Sequence, residues 1–321
     1  MRRPIIIVGT GRCGSTLLHR LLAGHDQLAW LSTFNEAFPT QAWLTWFSRA
    51  YGWPLPDRIK DLKAFPKPYE AYRFWEHFLP GFSRRDRPLT AEDVPAGGID
   101  PVRRATERIA TLQGKERFLV KVTGWSRIAY FDRIFDDAVF VSLRRDPRAV
   151  VSSWVQAGWL DVTSSPGSEG WEWGEVPADY LAAWRELGGD PTLSAAVKIR
   201  LDLDDIARNA ARVPQRFHEL SYEDLIARPE PSLRSICGFS GLDWTPAFER
   251  IVRSKHFYDP RGKWRRHLTE AQGERIIEFF ARADASPAAG SPAGPSSAQG
   301  EAAKGSSSSG PSAGVPDGSS A

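Results

Sequence analysis

The first regular feature of the chain is an apolar run, Ile5 to Val8, that stops at Gly9 and leads into a helical pattern with leucines at 17, 18, 21 and 22. Four consecutive apolar residues leave no polar face, as a strand covered on both sides of a sheet requires. Comparable strand patterns recur at Leu28 to Leu31, Arg117 to Thr123, Ala138 to Leu143 and Gln215 to Ser221. Helical patterns lie among them at Ser15 to Leu22, Pro101 to Leu112 and Ser126 to Phe135, and one begins at Asp146. Asp146 is a good N-cap, and Pro147 suits the first helical position. Strands separated by helices predict βαβ units and a mostly parallel sheet. Helices are also expected at Ala178 to Leu187, Ala195 to Arg212, Pro231 to Gly238 and, with Thr269 as N-cap, from Thr269 to Ala283.

The pattern breaks in three places. Residues 41–90 are crowded with aromatics, from Trp43 and Trp46 to Phe82, interrupted by Pro54, Pro56, Pro66, Pro68 and Pro80. They show no clean period, and they predict a helical, aromatic-rich insertion that covers a pocket and packs its own core. Residues 161–177 read as a glycine- and tryptophan-rich loop. From Ser286 to Ala321, 31 of 36 residues are Ser, Gly, Ala or Pro. That composition cannot bury enough apolar surface to offset the entropy of ordering, so a disordered tail is expected after a single domain over 1–285.

Composition narrows the function classes. With a net charge of +3, the 321-residue chain has no excess of cations that would argue for nucleic acid as a partner. Cys13 and Cys237, the two cysteines, supply no disulfide framework and suit a reducing compartment. No stretch approaches the ~20 apolar residues of a membrane span. The expectation is a soluble cytoplasmic protein with no integral membrane association.

The candidate chemistry lies at two strand-to-helix junctions. Gly9 to Thr16 reads GTGRCGST, with the Gly-x4-Gly spacing of a phosphate-binding loop. Its backbone N–H groups and the following helix N-terminus suit an anion. Ser15 stands where a nucleotide-hydrolysing loop carries lysine, and the cation sits earlier, at Arg12. The second junction carries Arg144 and Arg145 at a strand end and Ser153 in the next helix. Two such junctions suggest a ligand with two separated anionic groups. A kinase would need the loop lysine and an acidic magnesium ligand ending a neighbouring strand. Here the strands run into Lys121 and into Arg144–Arg145.

The stretch Gly9 to Leu18, GTGRCGSTLL, resembles the 5′-phosphosulfate loop of sulfotransferases that use 3′-phosphoadenosine-5′-phosphosulfate (PAPS). Leu143 to Trp154, LRRDPRAVVSSW, resembles their 3′-phosphate motif, with Arg145 ending a strand and Ser153 eight positions later. Tyr222 to Leu225, Gly241-Leu242 and Lys263 to His267 are also similar to bacterial members, so the resemblance spans residues 4 to about 283. It implies an α/β fold, P-loop NTPase-like, three-layer α/β/α with a mostly parallel central sheet. It further implies that Gly11, Arg12, Cys13, Gly14, Ser15 and Thr16 hold the phosphosulfate. Arg145 and Ser153 would hold the 3′-phosphate, and Arg261, Lys263 and Arg265 would close over it.

The reaction so implied is in-line transfer of a sulfuryl group from PAPS to a hydroxyl of a carbohydrate, lipid or small molecule, with no metal. The histidine that many animal members carry after the strand matching Leu119 to Thr123 is absent. Related bacterial and Golgi members place a glutamate in the loop after the second strand, so the resemblance implies Glu36 as the general base, facing the crevice of the phosphate loop if that strand lies beside the first. Arg12 would stabilise the leaving group and Lys121 would assist it. A P-loop small-molecule kinase and a non-catalytic nucleotide-binding relative are the alternatives.

Overall fold

The computed structural model describes residues 3–53, 55–62, 64–159, 165–258 and 261–286. Apart from Ser286, the tail expected from the composition lies outside the described residues, as do residues 160–164 of the glycine–tryptophan loop.

Five strands, β1 (Ile5–Val8), β2 (Leu28–Trp30), β3 (Arg117–Lys121), β4 (Val139–Arg144) and β5 (Phe217–Ser221), form one sheet. Their order is β2-β3-β1-β4-β5, and every neighbouring pair is parallel. The helices of the first half are α1 (Ser15–Leu22), α2 (Thr33–Ala37), α3 (Asp57–Lys60), α4 (Tyr72–Phe78), α5 (Ile99–Gln113) and α6 (Ile128–Ile134). Those of the second half are α7 (Pro147–Gln156), α8 (Ala178–Glu186), α9 (Pro191–Ala210), α10 (Tyr222–Ala227), α11 (Pro229–Ser240), α12 (Pro246–Ser254) and α13 (Glu270–Asp284).

The apolar run of β1 is buried along its whole length because the sheet is covered on both faces. Ile6 and Val8 join Phe118, Val120 and Phe140 under α4, α5 and α6. Ile5 and Ile7 join Leu119, Val139 and Val141 under α1, α11 and α12. A third cluster, remote from β1, ties α7, α8, α9 and α13 together through Trp154, Tyr180, Leu193 and Phe279.

Local signals account for most helix starts. Asp146 accepts the Arg148 N–H at the head of α7, and Thr269 forms a capping box with Gln272 at α13. The periodicity did not single out α12, although Thr245 caps it and Pro246 opens it. The segment 41–90 divides into two parts with different fates. Residues Ala42–Gly52 wind as a 3-10 helix that leaves Trp43, Trp46 and Phe47 exposed. Phe74, Trp75 and Phe82 instead sit in the core, where Trp75 packs edge-on against Phe131 at 5.1 Å.

The strand order bears directly on the site. Glu36 was expected to share the crevice of the phosphate loop on the condition that β2 lies beside β1. That condition fails, because β3 pairs with β1 on that side and β2 is an edge strand. Pairing Ile7 with Lys121 brings the end of β3 next to the loop that follows β1. On the other side, β1 pairs with β4 from Ile5↔Val139 to Val8↔Ser142. The chain thus reverses direction of winding around β1, and a crevice opens beyond its carboxyl end.

Candidate functional site

The loop after β1 turns on two residues with left-handed backbone, Arg12 at φ 72° and Gly14 at φ 101°. For arginine that conformation is uncommon and costs about 1–3 kcal/mol. The second position has no alternative to glycine, because a Cβ there would stand 2.3 Å from Cδ2 of Tyr222. Gly14→Ala is therefore expected to lower stability by at least about 1–2 kcal/mol, read as a shift of the urea midpoint at constant m.

The turn delivers Ser15 and Thr16 to the start of α1, whose first N–H groups have no carbonyl within the helix to bond. Partial positive charge gathers there. Cys13 is wholly buried, and burial pushes its thiol up, so it stays neutral and fills space beneath Gly9.

The two basic junctions meet. Arg12 Nε donates to Ser153 Oγ at 2.9 Å, and an Arg145 Nη1–H donates to the Arg12 carbonyl at 3.1 Å. The Arg145 guanidinium lies over the Tyr222 ring at 4.5 Å, and its Nε is buried with no hydrogen-bond partner among the described residues. A buried donor left unmade is costly, so Arg145 is poised for an acceptor. Trp154 Nε1 donates to the Gly11 carbonyl at 3.0 Å, pinning the loop to α7.

The basic residues after Arg261 form a short 3-10 turn, Lys263–Arg266. Trp264 anchors it to α7: the Ser152 hydroxyl donates to its carbonyl at 3.3 Å, and Arg148 and Arg265 lie over its ring. Arg265 is also held by Glu270. Arg261 lies in the described turn just before it.

On the β3 side, Lys121 is 7 % exposed and its ammonium bridges two partners. It donates to Thr16 Oγ1 at 2.9 Å and pairs with Glu70 Oε1 at 2.6 Å. Thr123 Oγ1 donates to the same carboxylate oxygen at 3.2 Å. Glu70 reaches this place because residues 67–69 pair antiparallel with the segment after β2: Tyr69 N–H donates to Leu31 O and Thr33 N–H to Lys67 O. Glu36 is placed otherwise. Its carboxylate accepts the Arg73 N–H at 2.9 Å and so caps the start of α4.

Glu70 also lines a cavity of about 540 Å³ that touches the loop at Gly11. Its walls include Tyr72, Thr123, Trp125, Trp154, Trp159 and Trp173. Burial pushes the Tyr72 hydroxyl up to about 12, and that hydroxyl donates to the Thr123 carbonyl at 3.2 Å. Trp159 lies 5.3 Å from the Arg12 guanidinium, so one tryptophan borders both the loop cation and the cavity.

Two cation-bearing junctions on adjacent parallel strands, with a loop leading into a helix N-terminus, form a surface that could hold an anion beside an aromatic cavity. The model of the sulfotransferase family matches residues 4–246. The chain belongs to the sulfotransferase family. Two solved bacterial members resemble this family member in fold. Sulfotransferase STF9 from Mycobacterium avium is 16 % identical with a TM-score of 0.52, covering 87 % of this chain and 76 % of its own. Sulfotransferase STF1 from Mycobacterium tuberculosis H37Rv is 18 % identical with a TM-score of 0.50, covering 88 % and 77 %. No curated protein matched the chain. Among the described residues no helix of this sulfotransferase is long and apolar enough to cross a membrane.

Of the site residues expected from sequence, Ser153 and Arg145 each contact Arg12, and Lys121 joins Thr16. Glu70 was missed. Its one sequence signal is that it is the sole acidic residue between Asp61 and Glu76, within a stretch otherwise aromatic, basic or proline-rich.

Proposed function

We propose that the protein transfers a sulfuryl group from PAPS to a hydroxyl acceptor. The observation that carries this reading is the joining of the two basic junctions through Arg12, Ser153 and Arg145. A 5′-phosphosulfate held by the loop and a 3′-phosphate held by Arg145 and Ser153 would lie on one contiguous surface. The segment from Arg261 to Arg265 would close over the second phosphate.

In this reading the acceptor oxygen attacks sulfur in line. The sulfur–oxygen bond to the 5′-phosphate breaks, and its electron pair leaves with the 3′,5′-bisphosphate. Arg12 and the N-terminus of α1 meet the charge that grows on the leaving oxygen. Lys121, which donates to Thr16 Oγ1 at 2.9 Å, would assist. The proton of the acceptor hydroxyl needs a base within hydrogen-bond reach of the cavity. Glu70 lines that cavity, whereas Glu36 caps α4, so the proton is assigned to Glu70.

The kinase alternative is separated by titration of the purified protein with the 3′,5′-bisphosphate of adenosine and, in parallel, with Mg-ATP. The bisphosphate is expected to bind at least about tenfold more tightly, a difference of about 1.4 kcal/mol. Tighter binding of Mg-ATP would overturn the assignment.

A further inference from the structure

The cavity next to the loop has a polar feature that the transfer reaction does not use. Lys198 and Asp202, one turn apart on α9, both line it, and their side chains are 3 % and 1 % exposed. They are paired through Asp202 Oδ1. The Lys198 ammonium lies 4.0 Å from the centre of the Trp125 ring and 5.7 Å from that of Trp173. The other carboxylate oxygen, Asp202 Oδ2, is buried and has no hydrogen-bond partner among the described residues. An ionised carboxylate accepts hydrogen bonds and donates none, so this oxygen calls for a donor brought by a ligand. Burial pushes the Asp202 carboxyl up, and Lys198 opposes that shift.

Resting on the sulfotransfer reading, we propose that the acceptor is a polyhydroxylated ring, a sugar or its glycoside, recognised through a second hydroxyl by Asp202. One hydroxyl is spent on the reaction at Glu70. Asp202 lines another wall of the same cavity, and its Oδ2 takes a hydroxyl that does not react. A phenol or a fatty alcohol has one hydroxyl and leaves that oxygen bare. Trp159 and Trp173, less buried than Trp125 and Trp154, supply flat apolar faces for the C–H side of a sugar ring, while its hydroxyl edge needs polar partners. Arg84, Arg85 and Lys198 on the same walls disfavour a cationic acceptor. A site built to bond a substrate hydroxyl rejects the analogue lacking it, because its buried polar group is then left unpaired.

The test uses the full chain with ³⁵S-labelled PAPS and a panel of methyl hexosides, against cyclohexanol and phenol. At least one hexoside is expected to exceed both mono-alcohols in kcat/KM by about 100-fold or more. The double variant K198M/D202L removes both charges together, so no lone buried ion is left. It should cost the hexoside about 30-fold or more in kcat/KM, with mono-alcohol turnover and bisphosphate affinity within about threefold of the parent. Trp173→Ala, a change in a loop, provides the second variant and should raise the hexoside KM.

Mono-alcohols labelled as well as hexosides would overturn the proposal. So would hexoside labelling undiminished in both variants, or a panel with no labelled hexoside while the bisphosphate binds. Failure of the bisphosphate itself to bind would instead overturn the sulfotransfer reading.

Discussion

Glu70→Gln is expected to lower turnover about 100-fold or more, with affinity for the 3′,5′-bisphosphate within about threefold of the parent. Glutamine keeps the shape of the side chain, but it cannot take the proton of an acceptor hydroxyl. It also loses the charge that pairs with Lys121 at 2.6 Å. The donor-side contacts of Arg12, Ser153 and Arg145 do not involve Glu70, which is why binding and turnover should separate. Glu36→Gln is the matching control. A glutamine oxygen can still accept the Arg73 N–H that Glu36 accepts at 2.9 Å, so turnover is expected within about threefold. The reverse pattern, with turnover lost at Glu36 and kept at Glu70, would return the base to Glu36. Single-turnover sulfate transfer alongside bisphosphate titration reads both outcomes.

Arg145→Met is expected to weaken the 3′,5′-bisphosphate by about 30-fold or more, the loss that follows removal of one partner from a buried, hydrogen-bonded charge pair. Adenosine 5′-monophosphate, which lacks the second phosphate, should bind the variant within about threefold of the parent. Methionine retains much of the apolar contact with Tyr222, so the comparison isolates the charge and the unpaired Nε–H. Equal losses for the two nucleotides would show that Arg145 only braces the loop through the Arg12 carbonyl, which it contacts at 3.1 Å. Calorimetric titration of both ligands is sufficient.

How much of the site could be read from sequence depended on how local its causes are. The loop after β1 announces itself through glycine spacing, and α7 through Asp146 and Pro147, because these features act within a few residues of chain. The apolar runs of β1, β3 and β4 identify strands buried on both faces, and in the fold they occupy the middle of the sheet. The base assignment behaved differently. Glu36 was tied to the loop by assuming that β2 pairs with β1, and no residue in either strand states its neighbour. The pairing is decided by how α1, α5 and the other helices pack on the two faces. Glu70 arrives at the cavity only through a bridge between residues 67–69 and the end of β2, in a segment without a period. Likewise Lys198 and Asp202 read as an i, i+4 pair on a helix, an arrangement usually exposed to solvent. That they are buried against a cavity follows from the docking of α9 beneath Trp125 and Trp173.

The sequence by itself therefore determined the strand-and-helix order, the phosphate-type loop with Arg12 as its cation, and the second basic junction at Arg145 and Ser153. Those rest on backbone conformation, capping and hydrophobic burial, which are written in short windows. Only the tertiary structure decided that β3 stands between β1 and β2 and that the two junctions touch. It alone placed Glu70 on Lys121 and left Asp202 Oδ2 buried beside an aromatic cavity with no partner among the described residues. Each of these depends on which distant segments pack together, and that choice belongs to the core as a whole.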